Sequence, residues 1–140
     1  MRWSFAFVAI LLPLAAFAQD APEWTLLPDS PFNISRSEDV FFVDADHGWA
    51  VIGAGAGGEG ELHRTTDGGD NWTMVSNPNG YLRGAGFVSE LKGWVGVLDD
   101  PVRLYETTDG GFTMTDITAR IQPAIAGGIC GLWVVNDQVA

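Results

Sequence analysis

The chain has 140 residues, 18 of them glycine, and a formal net charge of −11 at pH 7. This acidic balance disfavours binding to nucleic acid or to anionic lipid, because basic patches supply the attraction to both. Cys130 is the single cysteine, so an intrachain disulfide is excluded, and the many glycines and tryptophans favour β structure with frequent turns.

The first 18 residues are typical of a secretory signal peptide. Arg2 precedes an apolar run that ends in Ala16-Phe17-Ala18, which places small residues at the −3 and −1 positions. The run is shorter than the ~20 residues that a membrane-spanning helix needs. We therefore expect cleavage after Ala18, export to the periplasm or the extracellular space, and no integral membrane segment after cleavage.

An N-terminal strand and linker are predicted over residues 19–39. The stretch "EWTLL" (23–27) resembles "NWTMV" (71–75), which lies at the end of the repeated unit that follows. In many propellers the N-terminus supplies one strand to the last blade and so closes the ring.

A repeated unit occupies the rest of the chain. Residues 61–73, "ELHRTTDGGDNWT", align without gaps with residues 103–115, "RLYETTDGGFTMT". Upstream, "FVDADHGW" (42–49) aligns with "FVSELKGW" (87–94). Short runs bounded by turn residues predict strands at 40–44, 48–53, 61–66 and 71–76, and again at 84–89, 93–98, 103–108 and 113–118.

The predicted fold is an all-β, partial β-propeller. A period of ~40–45 residues with four strands is that of a propeller blade. The incomplete propeller spans 40–140, with about two and a half four-stranded blades at roughly 40–83, 84–127 and 128–140, the last one truncated. Because even four blades need about 170 residues, we expect a fragment of a six- or seven-bladed ring.

The Thr-Thr-Asp-Gly-Gly stretch lies between the third and fourth predicted strands of each unit. An aspartate in a turn accepts hydrogen bonds from backbone N–H groups ahead of it, and glycine tolerates positive φ. Trp72 can cover the first turn with apolar area. We therefore predict structural turns, not catalytic carboxylates, at Thr65, Asp67, Gly68, Gly69 and Trp72 and at Thr107, Asp109, Gly110 and Gly111.

"TTDGGDNW" (65–72) resembles the Asp-box, or BNR repeat, of sialidase-type propellers, and "TTDGGFTM" (107–114) is similar, with Met114 in place of the usual aromatic residue. The wider pattern "GW…TTDGG…W" resembles photosystem II stability/assembly factor-like proteins, which are seven-bladed propellers with a WD40/YVTN-like repeat. The resemblance covers about residues 24–140. It implies an exported, noncatalytic scaffold that binds a protein partner. The alternative is the N-terminal part of a sialidase-type glycoside hydrolase.

Other patterns do not predict a cofactor or a metal. "GAGAGG" (53–58) satisfies GxGxxG, but no helical period follows it, so a loop between strands is the better interpretation. His47 and His63 lack metal-ligand spacing. Glu59, Glu61 and His63 would share one face if extended, yet a metal site there is the minor alternative. Asp99-Asp100-Pro101 is interpreted as a turn.

The sequence also predicts no catalytic residue. The sialidase resemblance implies three arginines that bind the substrate carboxylate, a Tyr–Glu pair and a further acidic residue. The first arginine of such enzymes lies in an Arg-Ile-Pro motif, and the comparable region here reads "FNISRSEDVFF". Arg36 alone does not make that constellation.

Overall fold

The computed structural model describes residues 23, 25, 27, 29–31, 36–53, 59–98, 101–122 and 127–136. The predicted signal peptide, parts of the predicted N-terminal strand, most of the "GAGAGG" loop, Asp99-Asp100 and the last residues of the predicted third blade lie outside the described residues. Within the described part, no helix is both long enough and apolar enough to cross a membrane.

The described residues form two four-stranded antiparallel sheets, so the predicted all-β fold is confirmed. Sheet 1 comprises β1 (Ser37–Phe42), β2 (Gly48–Ile52), β3 (Glu61–Thr65) and β4 (Thr73–Ser76), and sheet 2 comprises β5 (Leu82–Phe87), β6 (Gly93–Val97), β7 (Leu104–Thr107) and β8 (Thr115–Asp116). Each sheet follows chain order, and a short 3₁₀ helix at Thr118–Arg120 follows β8.

The two sheets use the same register around a phenylalanine and a glycine. Phe42 pairs with Gly48 between β1 and β2, and Phe87 pairs with Gly93 between β5 and β6. A Cβ atom at Gly48 would lie 2.6 Å from the Phe42 ring, and one at Gly93 would lie 2.3 Å from the Phe87 ring. The phenylalanine ring therefore fills the space that any larger residue would need, which explains the glycine of both "GW" pairs.

The core lies between the two sheets. Alternation along β2 places Trp49 and Val51 on the face toward sheet 2, and both side chains are fully buried. The Trp49 and Phe87 rings stack with centroids 3.6 Å apart and an interplanar angle of 5°. Burial of a large apolar side chain stabilises a fold by about 1.5–3 kcal/mol. The indole Nε1 of Trp49 also donates a 2.9 Å hydrogen bond to the carbonyl oxygen of Gly110.

The far face of sheet 2 is covered by the segment 127–136. The amide of Ile129 donates a 3.0 Å hydrogen bond to the carbonyl oxygen of Val97. Glycines let the segment approach closely: a Cβ atom at Gly86 would lie 2.3 Å from a Val134 methyl group. Successive layers that pack face to face in chain order form an open arrangement, as in part of a β-propeller.

Several strand boundaries differ from the predictions, and β8 spans only Thr115–Asp116 of the predicted 113–118. β1 begins at Ser37 and β5 at Leu82, before the predicted starts at 40 and 84, while β4 begins at Thr73, after the predicted start at 71. The start of β1 contains Asp39, whose carboxylate accepts a 2.9 Å hydrogen bond from the Ala85 amide of sheet 2. An apolar pattern does not reveal a charged residue that pairs across sheets. Asn71 belongs to the preceding turn, which delays β4.

Trp49 should contribute more to stability than the equivalent Trp94. Trp49→Phe removes the indole hydrogen bond to Gly110 and perturbs the stack on Phe87, whereas Trp94 lies on the opposite face of sheet 2 with Lys92 Nζ 5.4 Å from its ring centroid. We expect Trp49→Phe to lower the free energy of unfolding by about 1–3 kcal/mol more than the matched Trp94→Phe. Urea unfolding followed by circular dichroism measures this difference, and equal losses would contradict the assigned role of Trp49.

Candidate functional site

Each sheet carries the same hydrogen-bonded turn between its third and fourth strands. We name them turn 1 (Thr65–Trp72) and turn 2 (Thr107–Met114). The buried Thr65 hydroxyl donates to Asp67 Oδ1 at 2.8 Å and accepts from the Gly69 amide at 2.9 Å. In turn 2 the equivalent distances, from Thr107 to Asp109 and from Gly111 to Thr107, are both 2.9 Å.

The two aspartates hold the far end of each turn. Asp67 accepts from the Asn71 amide at 2.9 Å and from the Asn71 side chain at 2.7 Å, and Asp109 accepts from the Thr113 amide and hydroxyl at the same two distances. The side-chain hydrogen bond from Asn71 is the largest cause that lowers the pKa of Asp67. The backbone hydrogen bond from Thr113 is the largest cause for Asp109. Both carboxylates therefore stay ionised as acceptors and are poorly suited to act as proton donors.

In each turn, a glycine amide donates a hydrogen bond to the neighbouring loop of the same sheet. Gly68 and Gly110 have φ values of 73° and 79°, which favour glycine because it lacks a Cβ atom. The Gly68 amide donates to the Asp46 carbonyl at 2.9 Å, and the Gly110 amide donates to the Leu91 carbonyl at 2.7 Å. The aspartate and glycine positions thus fix the backbone of the two turns.

The last position differs between the turns. Trp72 donates a 2.9 Å hydrogen bond from Nε1 to the Gly69 carbonyl and packs edge-on against Phe42, with centroids 6.0 Å apart. Met114, at the matched position of turn 2, packs against the core between the sheets. A flexible apolar side chain suffices there, because it contacts the core instead of covering its own turn.

His47 lies between two carboxylates that belong to different sheets. Its Nδ1 is 3.0 Å from both oxygens of Asp44, and its Nε2 is 3.5 Å from Glu90 Oε2. Glu90 is also 3.4 Å from the Arg64 guanidinium. Backbone hydrogen bonds from His47 and Asp46 lower the pKa of Asp44. These four side chains form a polar link between the first loop of each sheet and strand β3.

The three residues of the alternative metal site, Glu59, Glu61 and His63, do not converge on one point but take part in separate hydrogen bonds. His63 Nε2 is 2.8 Å from Glu61, whereas Glu59 accepts a 2.7 Å hydrogen bond from Asn77. Among the described residues, no group of three His, Cys, Asp or Glu side chains is arranged to hold a metal ion.

A second polar cluster joins the first strands of the two sheets. The side chain of Glu38 on β1 is 3 % exposed and accepts a 2.5 Å hydrogen bond from the Tyr81 hydroxyl. Arg36 Nε and Arg83 Nε lie 3.3 Å and 3.5 Å from the Glu38 carboxylate. The hydrogen bond to Glu38 is the largest cause that raises the pKa of Tyr81, so the phenol stays protonated as a donor. The cluster thus places the Glu38 carboxylate beside the protonated Tyr81 hydroxyl.

This cluster was not predicted from the sequence, although the repeat contained a usable indication. Glu38 and Arg83 occupy matched positions when "FVDADHGW" is aligned with "FVSELKGW". Matched positions of adjacent repeats become neighbours when the repeats stack, so opposite charges there could have predicted an ion pair.

Similarity to known proteins does not assign the chain to a family. No protein-family model matches the sequence, and a search of curated proteins gives no match either.

Thr107 and its neighbour Thr108 offer a matched test of turn 2. Thr107 is 1 % exposed, and its hydroxyl makes the hydrogen bonds to Asp109 and Gly111, whereas Thr108 is exposed. Thr107→Val should lower the free energy of unfolding by about 1–3 kcal/mol, because it leaves buried partners unsatisfied. Thr108→Val should change it by no more than about 0.5 kcal/mol. Chemical unfolding measures both variants, and similar effects would refute the structural role of Thr107.

Proposed function

We propose that the chain is part of an exported, noncatalytic propeller scaffold that binds a protein partner, as the resemblance to photosystem II assembly factor-like proteins implies. The internal hydrogen bonds of turns 1 and 2 support a structural role for the two repeated carboxylates. The acidic chain disfavours nucleic acid and anionic membranes as partners.

The observation that carries this proposal is an exposed apolar surface on sheet 1. We define the outer face of sheet 1 by Val40, Phe42 and Met74, which are 60 %, 40 % and 52 % exposed. Val40 and Met74 belong to one row across the sheet, because Val40 pairs with Ala50, Ala50 with His63 and His63 with Met74. Apolar side chains grouped on a protein surface are typical of protein interaction sites.

The matched face of sheet 2 shows what this surface is suited to contact. Ala85 and Phe87 occupy the positions of Val40 and Phe42 in the repeat, and both are buried against sheet 1. The same strand positions therefore pack against a neighbouring sheet in one repeat and are exposed in the other. An apolar sheet surface would fit the outer face of sheet 1, whether it comes from a partner protein or from a further blade of the propeller to which the chain is proposed to belong.

A photo-crosslinking amino acid at Val40 should capture the partner. We expect benzoylphenylalanine at Val40, or separately at Met74, to give one discrete adduct of higher mass after irradiation of the exporting cells. The control site is Thr115, which is exposed on β8 of sheet 2. Gel analysis and mass spectrometry identify the adducts. Adducts of equal yield at all three positions, or at none, would count against a partner at the outer face.

The second candidate function is a sialidase-type glycoside hydrolase, and the cluster around Glu38 favours it. The resemblance implies a Tyr–Glu pair together with arginines that bind the substrate carboxylate. Tyr81 and Glu38 are such a pair, and Arg36 and Arg83 flank it. However, both guanidinium groups already face the carboxylate of Glu38. Their charge is thus partly neutralised within the protein, which ranks this candidate second.

Turnover of a sialoside separates the two candidates. For a scaffold, we expect the wild-type protein and the Tyr81→Phe variant to release fluorophore from 4-methylumbelliferyl sialoside at the same background rate. Tyr81→Phe removes only the hydroxyl that donates to Glu38. Hydrolysis by the wild type that is lost in Tyr81→Phe, with an unchanged circular dichroism spectrum, would replace the scaffold proposal with the hydrolase.

A further inference from the structure

A cavity of about 210 Å³ opens between turns 1 and 2. It is bounded on one side by strands β3 and β4 with turn 1, and on the other side by Phe112 of turn 2. The site is separate from the outer face of sheet 1, because neighbouring residues of β4 point to opposite faces: Thr73 lines the cavity, whereas Met74 lies on the outer face.

One side of the cavity is apolar. Phe112 is 58 % exposed and occupies the position that Asp70 has in turn 1. The hydrogen bonds that hold turn 2 come from Thr107, Asp109 and Thr113, so the turn does not require the aromatic ring. Half-buried Val75 contributes a second apolar surface. An exposed aromatic face beside a small cavity is suited to pack against the apolar face of a ligand.

The other side offers polar atoms with unused hydrogen-bonding capacity. Within the described residues, the hydroxyl groups of Thr66 and Thr73 form no hydrogen bond, and Oδ2 of Asp67 accepts only one, from Asn71. Arg64 also lines the cavity, and its Nε is buried without a hydrogen-bond partner. The cavity thus combines hydroxyl, carboxylate and guanidinium groups, which can both donate to and accept from a ligand.

The charges favour a neutral ligand. Arg64 lies 3.4 Å from Glu90 and 5.6 Å from the Trp49 ring centroid, so its charge is already engaged. Asp67 lines the cavity, and its lowered pKa favours the charged carboxylate, which would repel an anion. Arg64 is the one cation among the described residues that line the cavity, and its ion pair with Glu90 weakens its attraction for a carboxylate, sulfate or phosphate group.

We propose that this cavity binds one neutral hexose unit of a carbohydrate. A pyranose ring has one apolar face, which would pack on Phe112, and hydroxyl groups around its edge, which would bond to Thr66, Asp67 and Thr73. Cavities that enclose drug-sized ligands measure ~300–1,000 Å³, so the smaller volume here fits a single ring. The site goes beyond the proposed protein-binding function and does not depend on it.

Saturation-transfer NMR with three neutral methyl hexosides tests the proposal. The probes are methyl β-glucopyranoside, methyl β-galactopyranoside and methyl α-mannopyranoside at millimolar concentration. We expect saturation transfer to at least one of them. Phe112→Ala should weaken its affinity by at least about fivefold, in the range found when an aromatic contact is truncated. The control is Leu91→Ala, which removes a 51 % exposed side chain outside the cavity and should leave the affinity unchanged.

Thr66→Val is a second variant that keeps the test decisive if Phe112→Ala misfolds. Thr66 is exposed, so its substitution should preserve the fold while it removes a hydroxyl from the cavity. We expect it to weaken hexoside binding as well, with an unchanged circular dichroism spectrum. Absence of transfer to all three hexosides, binding that is equal in the wild type and both variants, or stronger transfer to an acidic sugar would overturn the proposal.

Discussion

The packing of the two sheets depends on the indole of Trp49. Its ring stacks on Phe87, and its Nε1 donates a hydrogen bond to the carbonyl oxygen of Gly110. One side chain of sheet 1 therefore contacts both the first strand and the turn of sheet 2. The Gly110 carbonyl can accept that bond only while turn 2 has its observed shape. The hydrogen bonds of Thr107 and Asp109 therefore serve the interface between the sheets as well as the hairpin to which they belong.

A comparison of the two repeats distinguishes residues that form the turn within each unit from residues that contact the adjacent unit. The identical Thr, Asp and Gly positions close the two turns, which every unit must form alone. Several positions that differ lie where layers pack together: Phe41 of sheet 1 packs against the core, while the matched Gly86 of sheet 2 admits Val134. Glu38 and Arg83 carry opposite charges at matched positions and form an ion pair across the interface.

This distinction also explains how much the sequence could predict. The eight strands follow from the repeat, the turn residues and the apolar runs, all of which are local features of the chain. The Tyr81–Glu38 hydrogen bond joins residues 43 positions apart, and the cavity brings Phe112 beside turn 1. Both depend on how closely the sheets approach, which alternation within a strand does not encode. The early start of β1 has the same origin, since Asp39 is fixed by its bond to sheet 2.

The location of the cavity links ligand binding to the packing of the sheets. Phe112 belongs to sheet 2 and the facing polar groups belong to sheet 1, so a ligand that contacts both binds only when the sheets are packed. Such a ligand stabilises the packed arrangement through mass action. The outer face of sheet 1 lies on the opposite side of β4 and would remain open to a protein. A carbohydrate could therefore favour the arrangement of sheets that presents this face without competing for it.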